Sequence, residues 1–201
     1  MSGEAPVGPA ARHQESGRPQ PRERLLEAAS ALFYAEGIRS IGVDRLIAEA
    51  QVTKATFYRH FPTKDDLVVA YLRGRDEGIR AQLAGAARAV GDDPRGTLGL
   101  LLDGLAAEVC GPGFRGCPFI NAAAEYPDAA HPVRLLIEEH RAWFRAALLT
   151  LATGCGHSDP EAAAAALFLL RDGAMVGGYL DGDSARRSLA QAAGAIVGGV
   201  L

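Results

Sequence analysis

The sequence predicts an all-α chain of about nine helices, and three observations carry that prediction. Ala, Leu and Gly dominate, while Val, Ile, Thr and the aromatic residues are comparatively scarce, a balance that favours helix over sheet. Apolar residues recur at three- and four-residue spacing along most of the chain, the mark of an amphipathic helix. Pro and Gly fall between those periodic runs, where helices begin and end. A length of 201 residues suffices for one domain or two small ones with a buried core.

Each element follows from local signals. Residues 1–20 are low in large apolar groups and rich in Gly, Pro and Ala, which predicts a disordered arm, with Arg12 and Arg18 available to a minor groove. Leu25, Ala28, Ala29, Leu32 and Phe33 define a first helix over 21–36, stopped by Gly37. Val43, Leu46, Ile47 and Ala50 mark a short second helix, with a break at Gln51-Val52. Thr53 caps a third over 54–60, and Pro62 ends it. Thr63 with Asp66 forms a capping-box-like start to a long fourth helix over 64–90.

The rest follows the same grammar. Pro94 opens a fifth helix to about 110, and Gly111-Pro112-Gly113 breaks the chain. A sixth spans 118–125, and a seventh starts at Pro132 and stops at Gly154-Cys155-Gly156. An eighth starts at Asp159-Pro160 and runs to about 180. Asp183 or Ser184 caps a ninth that runs to the end. The eighth carries only Arg171 and Asp172 as charges between Ala162 and Leu180 and is apolar on every face, so it calls for burial on all sides. Small residues on it (Ala164, Gly173, Ala174, Gly177, Gly178) and on the ninth (Ala193, Gly194, Gly198, Gly199) permit close approach of backbones. A homodimer sealed by a four-helix bundle of helices 8 and 9 is the expectation; the alternative is that helix 8 is the central helix of a monomer core.

Composition excludes several classes. Net charge is −3, so the whole chain is not a bulk binder of polyanions. Cys110, Cys117 and Cys155 form no Cys-x-x-Cys pair and no zinc spacing, so neither metal nor cofactor is expected. No apolar leader and no run of eighteen uninterrupted apolar residues is present, which predicts a cytoplasmic protein with reduced thiols and no membrane partner.

Positive charge is concentrated rather than spread. Lys54, Arg59 and Lys64 stand in residues 53–64 with no Asp or Glu among them, whereas residues 68–201 hold twelve Lys/Arg against fifteen Asp/Glu. In "VTKATFYRHFPTKDDL", Phe57 and Phe61 are spaced for burial. Nearly every other side chain before Asp65 donates hydrogen bonds. Two short helices joined by a tight turn, the second with a basic, acid-free face, are helix-turn-helix architecture, whose second helix enters the major groove. An acid on that face would meet phosphate, which accounts for its absence.

This stretch, with the flanking "AASALFYAEGIRSIGVDRLIAEA", resembles the TetR (tetracycline-repressor-like) family of transcriptional regulators over about residues 22–68. The resemblance implies an all-α homodimer with a DNA-binding domain at 21–67 and a ligand-binding and dimerisation domain at 68–201. Its partners would be double-stranded DNA bearing a palindromic operator and a small-molecule effector that releases the repressor. Position by position it implies that Thr53 meets phosphate through its hydroxyl. Lys54, Ala55 and Thr56 would face bases, Tyr58 and His60 would grip phosphate, and Lys64 would hold the flanking backbone. Ser40 and Arg45 would lie where helix 2 meets phosphate, and Arg59 would face either DNA or solvent. Gln51 stands where the family commonly has Gly, which costs about 1 kcal/mol if the position needs positive φ.

The second distinctive stretch is "GFRGCPFINAAAEYPDAAHP". Asn121 and Glu125, four apart, share a helix face, and the segment resembles a TetR subgroup with Gly-Cys, Asn and Glu at this spacing. Candidate pocket residues are Leu101, Phe114, Phe119, Trp143, Phe144, Phe168, Met175 and Tyr179, which suit an apolar or planar ligand, with Asn121 and His140 to orient it. Cys117 near a helix start is either a buried inert thiol or a redox sensor. A Cys117 hydrolase using His131 or His140 lacks a convincing nucleophile, base and orienter set.

Overall fold

The computed structural model describes residues 19–91 and 93–196. The predicted arm up to residue 18, with Arg12 and Arg18, lies outside them, as do the end of the ninth helix and its Gly198 and Gly199. Among the described residues there are nine helices and no strand: α1 (Pro21–Glu36), α2 (Val43–Ala50), α3 (Lys54–His60), α4 (Lys64–Val90), α5 (Pro94–Val109), α6 (Pro118–Glu125), α7 (Pro132–Gly154), α8 (Pro160–Asp181) and α9 (Asp183–Ile196).

The boundaries have local causes. Gly37 ends α1 at φ +90°, and Thr63 Oγ1 accepts from Asp66 N while the Asp66 carboxylate accepts from Thr63 N, a reciprocal cap for α4. Pro fills the first helical position of α1, α5, α6, α7 and α8, where its missing N–H costs nothing. One expectation needs correction. Helix α9 begins at Asp183, directly after Gly182 at φ +59°, so Ser184 lies inside the helix and its hydroxyl donates back to Asp181 O.

Two apolar clusters hold the molecule. The first joins α1–α4 to α6 and the start of α7. Leu25, Leu46, Phe57 and Leu67 meet Phe119, Ala122 and Val133 in one continuous interior. The second lies among α5, α7, α8 and α9 around Leu98, Phe144, Leu167 and Ala193. The long α4 bridges them, its first turns (Leu67, Val68, Tyr71, Leu72) in the first cluster and Ile79 packing on both.

Helix α8 is long and apolar enough, by length and composition, to cross a membrane, though less than half of its most apolar stretch is buried in this chain. The apolar residues on its every face divide in two. Leu167, Phe168, Ala174 and Met175 are buried, whereas Leu169 and Leu180 are 70% and 69% exposed, with Val176 and Tyr179 half exposed between them. The small residues divide as well: Gly178 packs on Val109 so tightly that a Cβ would sit 2.5 Å from that side chain, while Gly173 faces open space.

Candidate DNA-binding surface and effector cavity

Helix α3 is fixed from beneath. Phe57 is fully buried, Phe61 nearly so, their ring centroids are 6.4 Å apart, and the Arg22 guanidinium lies over Phe61 at 5.6 Å. Thr53 Oγ1 accepts from Thr56 N at 3.1 Å and so caps the helix. The opposite face carries Thr53, Lys54, Ala55, Tyr58 and Arg59, all exposed, with Thr56 half-buried beside them. The nearest carboxylate to that face in an ion pair is Asp44, 3.6 Å from Lys54 Nζ and fully in solvent, a contact of little energy. His60 is half-buried, and its Nε2 has no hydrogen-bond partner among the described residues.

The turn before α3 takes the strained form. Gln51 sits at φ 50°, ψ 51° as the cap of α2, in the left-handed region that favours glycine. Arg24 of α1 compensates: its Nε donates to Ala50 O at 2.9 Å and its Nη2 to Gln51 O at 3.4 Å, satisfying carbonyls at the α2 C-terminus with a positive charge.

Three residues expected at phosphates have internal partners. Lys64 Nζ donates to Ile38 O at 2.6 Å and lies over the Phe33 ring, and its burial holds its pKa below the usual lysine value. Arg45 makes a two-pronged pair with Glu36, both bonds at 2.6 Å, on the exposed surface. Ser40 Oγ is 2.7 Å from Glu36 O and 2.9 Å from Gly37 O and closes the end of α1.

A seam of hydrogen bonds ties this helix-turn-helix to the next helices. Glu125, the last residue of α6, accepts from Ile38 N at 2.8 Å and from Arg39 N at 2.6 Å. Tyr126 donates to Asp65 Oδ1 at 2.7 Å, and burial with that carboxylate beside it drives the phenol well above its ordinary value. His131 Nε2 is 3.3 Å from Asp65 Oδ2. The Tyr34 hydroxyl donates to Gly116 O and accepts from Arg115 N, clasping the loop before α6. Asn121, on the same helix face as Glu125, closes that loop by donating to Arg115 O at 2.8 Å.

A cavity of about 700 Å³ opens among α4, α5, α7 and α8. Of the predicted pocket residues it gathers Leu101, Phe114, Phe144 and Met175, and it adds Tyr34, Gly74, Arg75, Gly78 and Arg171, which sequence reasoning missed. Gly74 and Gly78, four apart on α4, leave one wall open, with empty space where their Cβ atoms would stand. That spacing was the signal available in the sequence. Cys117, Asn121, Met175 and Tyr179 line a smaller cleft of about 360 Å³ beside α1.

Phe119, His140, Trp143 and Phe168 line neither space. His140 is buried, stacks flat on Phe119 at 3.8 Å, and pairs through Nδ1 with Asp76 Oδ1 at 2.7 Å. Burial lowers its pKa against the opposing pull of Asp76, so the neutral ring donates Nδ1–H to an ionised carboxylate. Burial would raise Asp76, but hydrogen bonds from His140 and Arg80 outweigh it and leave the carboxyl low. Trp143 lies under the Arg80 guanidinium at 4.3 Å, and Phe168 under Arg141 and Arg145 at 4.5 and 4.4 Å. Cys117 is 1% exposed and accepts from Arg171 Nη1 at 3.3 Å, which denies it the access a redox sensor needs, and each candidate histidine base is bonded to an aspartate instead. No group of His, Cys, Asp and Glu among the described residues is arranged to hold a metal ion.

Comparison with known proteins agrees with this geometry. The tetR family of bacterial regulatory proteins matches residues 25–71. The crystal structure of SCO4454, a TetR-family transcriptional regulator from Streptomyces coelicolor, superimposes with a TM-score of 0.86 at 44% identity, covering 90% of this chain and 95% of that one. The chain belongs to the TetR family of transcriptional regulators. It is thus a DNA-binding regulator. The transcriptional regulator LmrA of Bacillus subtilis is 27% identical over 158 residues, 77% of this chain and 84% of its own. Regulatory protein TetR of Rhodobacter sphaeroides, 21% identical over 90% of this chain and 99% of its own, shares the fold with a TM-score of 0.73.

Proposed function

We propose that this TetR-family protein is a cytoplasmic, homodimeric repressor released from a palindromic operator by a small molecule with an apolar body. Residues 21–67 form the DNA-binding unit, and residues 68–201 hold the effector and the dimer interface. The observation that carries the reading is α3 itself: a helix pinned by two buried phenylalanines whose outward face bears hydroxyls, an ammonium and a guanidinium but no acid.

In this reading Lys54, Ala55 and Thr56 meet base edges while Thr53, Tyr58 and His60 meet phosphates, with Arg59 at the flank. Lys64, Arg45 and Ser40 act indirectly, by holding the α1–α2 turn that presents α3. The apolar stripe of Leu169, Val176 and Leu180 on α8, with α9 beside it, is covered by a second copy of the chain.

The effector occupies the cavity among α4, α5, α7 and α8. Movement there reaches the DNA-binding unit through α4 and through the Glu125, Tyr126 and Tyr34 bonds. It shifts the population of dimers whose recognition helices sit about 34–36 Å apart. Coupling of about 1–3 kcal/mol between the two sites suffices.

Fluorescence anisotropy on DNA flanking the protein's own gene, at two salt concentrations, tests this. Wild type binds a palindromic site with an affinity that falls steeply with salt, and Tyr58→Ala loses most of it. Salt-independent binding, or a Tyr58→Ala variant as tight as wild type, refutes the assignment of α3.

A further inference from the structure

The effector cavity is apolar over most of its wall, but one buried cation lines it with donors to spare. Arg171 is 8% exposed. Its Nη1 is 3.3 Å from Cys117 Sγ and 2.9 Å from Asp172 Oδ1. Nε and Nη2, which carry three of the five guanidinium N–H groups, make no hydrogen bond to another described residue and are not fully covered, on a side chain that lines the cavity. A guanidinium stays charged in any protein environment, so burial cannot neutralise it.

The counter-charge is incomplete. Asp172 is shared, since Arg141 Nη2 donates to its other oxygen at 2.8 Å. One carboxylate therefore stands between two guanidiniums. The other ionic groups at the cavity cancel each other: Arg75 and Glu108 face each other at 3.9 Å, both partly in solvent. Tyr34 has spent its hydroxyl on Gly116 O and Arg115 N. The deep wall is hydrocarbon from Leu98, Phe144, Leu148 and Leu167. Charged donors open to a cavity with such a wall favour an anionic acceptor, and a carboxylate matches their fork best.

We infer that the effector is an amphipathic anion, an apolar body with a single carboxylate-type head seated on Arg171. This rests on the effector reading of the cavity and adds the charge of the ligand to it. The guanidinium, only half matched by the shared Asp172, selects against a neutral molecule of the same shape and repels a cation.

Isothermal titration with decanoate, decanol and decyltrimethylammonium, all below micelle formation, tests it on the full-length protein. Wild type binds decanoate about 10–100-fold more tightly than decanol, the worth of a charge-assisted hydrogen bond. Arg171→Gln abolishes that preference by weakening decanoate far more than decanol. Arg171→Lys, which keeps the charge and loses the fork, retains part of the preference and serves if the Gln variant fails to fold. Equal binding of decanoate and decanol, a preference that survives Arg171→Gln, or tightest binding of the cation overturns the anionic head and leaves the cavity standing. Binding that a Leu101→Trp plug does not weaken, or no binding of any probe, overturns the cavity as the effector site and the inference with it.

Discussion

Glu125 holds the α1–α2 turn from the end of α6. Its carboxylate accepts two backbone N–H groups of the α1–α2 turn, from Ile38 at 2.8 Å and Arg39 at 2.6 Å. Each bond to an ionised group is worth about 1.5–3 kcal/mol. The Ile38 bond is half-buried and keeps most of that, whereas the Arg39 N–H is exposed and water replaces its partner at little cost. Glu125→Ala therefore destabilises the fold by about 1.5–3 kcal/mol. Glu125→Gln, whose amide offers one acceptor and turns an N–H toward the second donor, costs about 1–2 kcal/mol. Gly37 stands against the carboxylate at φ +90°, and a Cβ there would lie 3.4 Å from Glu125 Oε1, so the turn conforms closely to its acceptor. Urea unfolding read as a change of midpoint at constant slope gives the number directly. The same variant also weakens the seam between the effector unit and α2, so ligand should change its DNA affinity by a smaller factor than in wild type. An Ala variant within 0.5 kcal/mol of wild type refutes the energetic argument, whatever its effect on DNA.

Other consequences follow by the same reasoning. Below the imidazole's unfolded pKa of about 6.5, the unfolded chain protonates at His140 while the buried, low-pKa ring in the fold does not, so stability is complete above that pH and falls as pH drops toward the lowered folded value. The Asp76 carboxyl, also held low, adds a second loss below about pH 4. A melting temperature that is flat from pH 7 to 5 in wild type, or equally sloped in His140→Asn, contradicts this. Gln51→Gly should relieve the left-handed strain by about 1 kcal/mol and raise the melting temperature by about 2–4 °C, read by differential scanning calorimetry. Leu169→Glu places a charge in the exposed stripe of α8, and sedimentation should then report a monomer where wild type reports a dimer.

The helices were legible because their signals are local. Pro at the first position, Thr63 with Asp66, and Gly37, each lie within a few residues of the boundary they set. Buried aromatic spacing likewise gave the pinned face of α3 from Phe57 and Phe61 alone. Polar side chains were the reverse case, because their partners lie far along the chain. Lys64 finds Ile38 O twenty-six positions away, and His140 finds Asp76 sixty-four away, so composition could not distinguish a donor aimed at DNA or ligand from one already spent inside. The cavity was half legible. Its hydrophobic members are visible as apolar residues, but which of them face a void rather than the core depends on how α4 and α5 cross.

That contrast bears on how the molecule couples its two ends. The first apolar cluster runs unbroken from α1–α4 into α6 and α7, so no dry seam separates the DNA-binding helices from the rest. Such an interior resists sliding, since packed side chains shift between discrete arrangements rather than by degrees. The polar bonds at its edge, Glu125 to the α1–α2 turn and Tyr126 to Asp65 at the start of α4, sit at the two places where α6 meets the helix-turn-helix. Met175 lines the effector cavity and also belongs to this first cluster, within reach of the α6 side of the fold. A ligand head on Arg171 lies four residues, one helical turn, from it along α8. In the proposed reading, displacement at that turn would be felt by α6 and α4 together, and the Glu125 and Tyr126 bonds are the contacts through which it would turn the α1–α2 segment before α3.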